Sequence, residues 1–205
     1  LSPGDMVMTA DHGPQPLRWL NRVHLTLSEL VDDPSLAPVL FLPGALGVGL
    51  PKAPLAVSPP HRMLVNGPVA GRMFDQPEVL VPAKALLGLP GVSQPPPGHP
   101  VAYYHLVFDR HEVVFAEGAP SESLLPGPQA LRQIGPKGRA AVVEAMPGIN
   151  TAGRWKKAAP ARPLIRQRLG AQLVARSMKN AKPLVVARAA SAAVDGAVPV
   201  ENPVR

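Results

Sequence analysis

Twenty-eight of the 205 residues are proline and eighteen are glycine. A proline ring fixes φ, removes an amide donor and clashes with the preceding helical turn, so this density of breakers denies the chain long helices over most of its length. Short strands joined by turns are what remains. Hydrophobic residues make up 46% of the chain but aromatics only 4%, so such strands must build their core from Val, Leu, Ala and Met. The length suits one domain with appendages.

The local patterns agree with that constraint. Ser2-Pro3-Gly4-Asp5 is a turn leading into a strand at Met6–Thr9, and Asp11–Pro14 is a second turn. Pro16–Val23 alternates with period two, as a half-buried strand does. Leu27–Leu36 is polar and irregular and reads as a helical turn capped by Ser28. Val39–Pro43, Leu55–Val57 and Met63–Val65 read as further short strands, Val79–Lys84 begins another segment, and Ser93–Pro100 is a Pro-rich loop. Gly44–Pro51 is glycine-rich but lacks the Lys-Ser/Thr of a phosphate loop and the spacing of a dinucleotide turn, so it reads as a flexible loop. In Tyr103–Ala116, Leu106 and Phe108 share one face of a strand while His105, Val107 and Asp109 share the other. Asp109-Arg110-His111 interrupts it as a bend, Val113-Val114-Phe115 resumes it, and Gly118-Ala119-Pro120 turns the chain.

After Pro126 the pattern changes. Gln129–Ile134 and Gly138–Met146 read as helical, with Pro147-Gly148 as a stop. Pro163–Met178 is an amphipathic helix candidate with Leu164, Ile165, Leu169, Leu173 and Val174 facing inward, and residues 180–205 read as loosely ordered. Charge divides at the same place. Residues 1–150 hold ten Lys/Arg and twelve Asp/Glu, a balance of −2, whereas residues 151–205 hold eleven and two, a balance of +9. The basic character therefore belongs to a tail. Such a tail can contact an anionic surface or nucleic acid, but Trp155 is its one aromatic, which gives base stacking little to work with. A solvated linker or docking tail is the favoured reading.

The chain has no cysteine, which excludes disulfides, Cys-ligated zinc and a thiol nucleophile within these residues. No run of 18 apolar residues suggests a membrane span, and no basic start followed by an apolar stretch suggests a signal peptide. The first residue is Leu1, and the chain reads as a fragment of something longer.

Three stretches carry chemistry: LSPGDMVMTADHGPQPLRW at the start, VSPPHRMLV around His61, and YYHLVFDRHEVVFAEGAPSES ending at Ser123. Together they resemble the Hint (Hedgehog/intein) domain family, in its bacterial Hedgehog/intein-like branch, over roughly residues 1–125. The third stretch is the most specific. The resemblance implies an all-β fold, a horseshoe of hairpins, here followed by a short helical and basic C-terminal extension. The expected division is a β-domain over 1–126 lacking its first strand, a short helical segment over 127–150 and a basic tail over 151–205.

In that family a Cys, Ser or Thr opening the domain attacks the preceding carbonyl carbon, and the peptide becomes an ester or thioester. An amide nitrogen is a poor leaving group, so a positioned acid is required, and an imidazole suits the task. Carried over by position, His61 is the histidine that protonates the leaving nitrogen and Ser58 the hydroxyl that holds the scissile amide. His111 matches a histidine that assists later steps, His105 stands where many inteins carry an acidic residue, and Asp109 is placed to orient an imidazole. The resemblance implies the domain's own upstream polypeptide as substrate; no cofactor and no metal are expected. His105, Asp109 and His111 are also metal-ligating residue types, but a bend falls among them and three such groups define no site.

Two departures follow. The chain begins after the place where the nucleophile strand belongs, so as written it is expected to be inactive. Inteins close their last block with His-Asn, and here the pair is Glu122-Ser123, neither of which forms the succinimide that splicing needs. Two readings stay open: an autoprocessing domain that cleaves but does not splice, and a degenerate Hint module with a structural or interaction role. Binding of anions through the tail is a third. Oligomeric state and localisation are not legible.

Overall fold

A computed structural model describes residues 1–126, 135–145, 150–151, 154–155 and 159–186. The readings of Gln129–Ile134 and Pro147-Gly148 as helix and stop, and of residues 187–205 as loosely ordered, lie outside the described residues.

The strands are β1 (Met6–Thr9), β2 (Gly13–Pro16), β3 (Trp19–Leu25), β4 (Val39–Phe41), β5 (Leu55–Val57), β6 (Arg62–Val65), β7 (Val79–Pro82), β8 (Val92–Ser93), β9 (Val101–Val107), β10 (Val113–Ala116), β11 (Ala119–Glu122), β12 (Asn150–Thr151) and β13 (Arg154–Trp155). The helices are α1 (Leu27–Asp32), α2 (Pro68–Phe74), α3 (Gly135–Ala145) and α4 (Gln167–Lys179). The fold is all-β in class, with a C-terminal helix. Among the described residues the longest helix is α4, at 13 residues, and none is long and apolar enough to cross a membrane.

One sheet of six strands runs in the order β2-β1-β10-β11-β6-β7. Beside it stand the long β3–β9 ribbon, paired from Trp19↔Val107 to Leu25↔Val101, and the small sheet β5-β4-β8. All of these pairings are antiparallel. The β10–β11 hairpin turns on two residues, Glu117 and Gly118, both with positive φ (49° and 76°). That is the mirror-image turn whose twist matches a two-residue hairpin.

β6 and β7 lie buried on both faces. Met63, Val65, Val79 and Val81 enter the main core with Phe41, Leu55 and Leu86. Their alternates Leu64 and Leu80 pack on the other side with Val113. A separate cluster of Val7, Leu17, Leu106, Phe108 and Val114 fills the space between β1, β9 and β10.

Three local expectations are corrected, and one helix was unforeseen. The cap of α1 is Thr26, not Ser28: its hydroxyl accepts the Glu29 amide while the Glu29 carboxylate returns to the Thr26 amide. Glycine-rich Gly44–Pro51 is docked rather than flexible, because Leu46 is buried in the core and a Cβ on Gly47 would stand 2.2 Å from the carbonyl oxygen of Val185. Helix α2 was not anticipated. The C-terminal segment also departs from its pattern. α4 starts at Gln167, so Leu164 and Leu169 are exposed, and the buried helical positions are Gly170, Leu173, Val174 and Ser177.

Those four positions fall at i, i+3, i+4 and i+7, one face of a helix. Gly170 belongs to it because a Cβ there would lie 2.7 Å from both Val81 Cγ1 and Ala85 Cβ, so only glycine lets α4 approach this closely. Ile165, Leu184 and Val185 join Leu173 and Val174 in the main core. Residues 180–186 are thereby docked, with Asn66 and Gly67 amides both bonding the Leu184 carbonyl.

Candidate functional site

The six-stranded sheet brings together residues far apart in sequence. Ser58-Pro59-Pro60-His61 closes as a turn in which the His61 amide donates to the Ser58 carbonyl at 3.0 Å. The Ala83 amide donates to the His61 carbonyl and the Lys84 amide to that of Pro59, so the turn is held from both sides. β6 begins at the next residue, Arg62. β11 pairs with β6 through Ser121↔Met63, which sets Glu122 beside this turn. The Arg62 amide accordingly donates to Glu122 Oε1 at 3.0 Å.

His111 enters from the bend between β9 and β10, with its side chain wholly buried. Its Nε2 lies 3.2 Å from the Ser123 carbonyl oxygen and 3.6 Å from Glu122 Oε2. Its Nδ1 accepts the Ala161 amide at 3.0 Å. His105, opposite Asn21 in the β3–β9 ribbon, completes the group.

The imidazoles are coupled electrostatically. Burial pushes the pKa of His61 below its usual value; the Glu122 carboxylate opposes that shift and His111 adds to it. Burial, and secondly His61, lowers that of His105 to about 4. Its Nδ1 is a buried atom without a hydrogen-bond partner, so nothing in place compensates a proton there. At neutral pH both rings are uncharged. A neutral imidazole can take a proton from an attacking hydroxyl or thiol and return it to a departing nitrogen. Among the described residues no three His, Asp or Glu side chains are arranged to hold a metal ion.

Of the residues singled out from sequence, His61, His105 and His111 converge, and Ser58 opens the turn that carries His61. Asp109 lies at the surface, where Arg18 Nε and Nη2 engage its two carboxylate oxygens at 3.0 and 2.7 Å. Among the described residues the His111 ring bonds the Ala161 amide and the Ser123 carbonyl. Sequence reasoning did not place Glu122 in the site. Its signal was the departure at the end of the closing block, where Glu122-Ser123 stands for His-Asn. A second polar group, also unanticipated, adjoins the first: buried Glu112 bonds His12 Nδ1 at 2.9 Å through Oε2, with Arg110 Nε 3.9 Å from Oε1.

Comparison with known proteins assigns a family. No curated protein and no solved structure matches the chain, but a family model described as the Hint domain matches residues 1–128. That is 128 of 205 residues, and it covers every histidine and carboxylate of the site. The chain therefore belongs to the Hint domain family, whose domains are of the autoprocessing type.

Proposed function

We propose that this domain catalyses an N–O or N–S acyl shift at the peptide bond joining it to upstream sequence, and then self-cleavage there. The hydroxyl or thiol of an upstream Ser, Thr or Cys adds to the preceding carbonyl carbon. The carbon–nitrogen bond breaks, an ester or thioester forms, and the proton lost by the nucleophile ends on the freed nitrogen. His61 carries that proton, and its uncharged state at neutral pH equips it to accept before it donates. The Ser58 hydroxyl holds the scissile amide, His105 and His111 support His61, and Asp109, tied to Arg18, steadies the bend that presents His111. Water or another nucleophile then resolves the ester. Because Glu122-Ser123 cannot form a succinimide, the reaction ends in cleavage rather than ligation.

The observation that carries this reading is the convergence of His61, His105, His111 and Glu122 from separate parts of the chain. The test is the intact mass of a precursor with its native upstream sequence, incubated with and without hydroxylamine or a thiol, beside its His61→Ala version. Cleavage that is accelerated by the added nucleophile and lost in the variant is the expected result. A single uncleaved mass from a folded precursor refutes the proposal and leaves a non-catalytic Hint module.

A further inference from the structure

The family match ends at residue 128, yet one of the atoms bonded to the site comes from residue 161. The segment from Ala161 to Ile165 runs alongside β7 as a strap, with Leu164 in a parallel bridge to Leu80. The Leu80 amide donates to the Pro163 carbonyl and the Ile165 amide to the Leu80 carbonyl, both at 2.9 Å. Arg162 bridges Glu78 and Asp11, and Arg62 Nη1 donates to the Ile165 carbonyl at 2.8 Å. Ile165 itself is buried in the main core. Main-chain bonds, two ion pairs and a core anchor thus fix the strap independently of the histidines.

Where this strap passes His111, the Ala161 amide donates to Nδ1. A ring nitrogen that accepts an N–H carries no proton of its own. The ring proton must then sit on Nε2, where it faces the Ser123 carbonyl oxygen and Glu122 Oε2. The opposite tautomer would set two N–H groups against each other at Nδ1. It would also turn the Nε2 lone pair toward two oxygens. Arg62 joins the two halves, since its amide holds Glu122 and its guanidinium holds the strap.

We infer that the strap Ala161–Ile165 is a positioning element of the processing site, supplied by sequence outside the Hint-matched residues, and that the Ala161 amide locks His111 as its Nε2–H tautomer. Ala161 acts through His111 and touches no reacting atom. The catalytic consequence rests on the processing activity proposed above; the tautomer lock does not.

The test uses the full chain labelled with nitrogen-15, and reads the His111 ring nitrogens by NMR, assigned by their loss in His111→Gln. The neutral ring of the unmutated chain is expected as pure Nε2–H, and an Nδ1–H form or a mixture overturns the inference. Ala161→Pro removes the one amide proton at issue. If that variant folds, its His111 ring becomes a mixture of tautomers, whereas a ring that stays purely Nε2–H overturns the inference. If it does not fold, the unmutated chain decides alone. In the precursor, Ala161→Pro slows cleavage roughly tenfold or more and displaces its pH profile. A precursor that never cleaves, combined with pure Nε2–H in the chain, refutes the processing reading and leaves the lock standing.

Discussion

The low pKa of His105 has a measurable cost in acid. Free in an unfolded chain its imidazole takes a proton near 6.5, whereas in the folded protein it resists until about 4. Above 6.5 the ring is neutral in both states and the fold keeps its full stability. As pH falls from 6.5 toward 4 the unfolded state binds a proton that the folded state refuses, and stability is lost. The gap corresponds to about 3 kcal/mol, and solvent screening of a ring that is not fully enclosed reduces this to roughly 2 kcal/mol. His61 contributes in the same direction, so the comparison must isolate one ring. Urea unfolding of the chain and of His105→Gln, from about pH 7 down to about pH 4.5, does so. The unmutated chain should lose roughly 2 kcal/mol more over that interval than the variant. Parallel stability curves, or an NMR titration placing the His105 ring near its ordinary value, would refute the claim that burial holds this imidazole neutral.

Two further outcomes concern the docking of the C-terminal segment. In Gly67→Ala the new Cβ would stand 2.2 Å from the Pro183 carbonyl oxygen and 2.9 Å from that of Leu184. Backbone must move, so the two amide bonds to Leu184 weaken and Leu184 and Val185 lose cover, at about 2–4 kcal/mol; unchanged stability and unchanged protease resistance beyond Lys182 would contradict this docking. Leu173→Ala removes a fully buried side chain from the main core and should destabilise by about 2–5 kcal/mol in denaturant unfolding. A loss below roughly 1 kcal/mol would mean that α4 is not part of that core.

Much of the strand content was legible because alternation and turn residues are local signals. Met6–Thr9, Leu55–Val57, Val113–Phe115 and the Pro-Pro turn before His61 all stand where pattern puts them. The errors have physical causes of their own. α2 begins with Gly67-Pro68, which resembles a breaker, although proline is favoured at the first helical position because its missing amide would be unpaired there anyway. Ser28 and Thr26 both offer a hydroxyl, and it is Glu29, three residues after Thr26, that makes Thr26 the cap. Apolarity alone points Leu164 and Leu169 inward, yet both are exposed. The structure instead gives Pro163 to Ile165 to a strap and fills the inward helical position with Gly170, whose lack of a side chain is what permits contact with Val81 and Ala85.

Residue order alone implies a chain of short strands, because its prolines disfavour long helices over most of its length, and resemblance to Hint blocks marks His61, His105 and His111. What surrounds those histidines depends on three-dimensional packing. Glu122 joins the histidines because β11 happens to lie against β6, an adjacency set by strand order. Ala161 reaches His111 through its main-chain amide, a group every residue but proline possesses, so no residue type could advertise it. Asp109, two residues from His111 along the chain, is turned instead to Arg18 at the surface. Periodicity and motif report what a residue is and which face it occupies. Which distant backbone atom meets it depends on how the sheets and the strap are stacked.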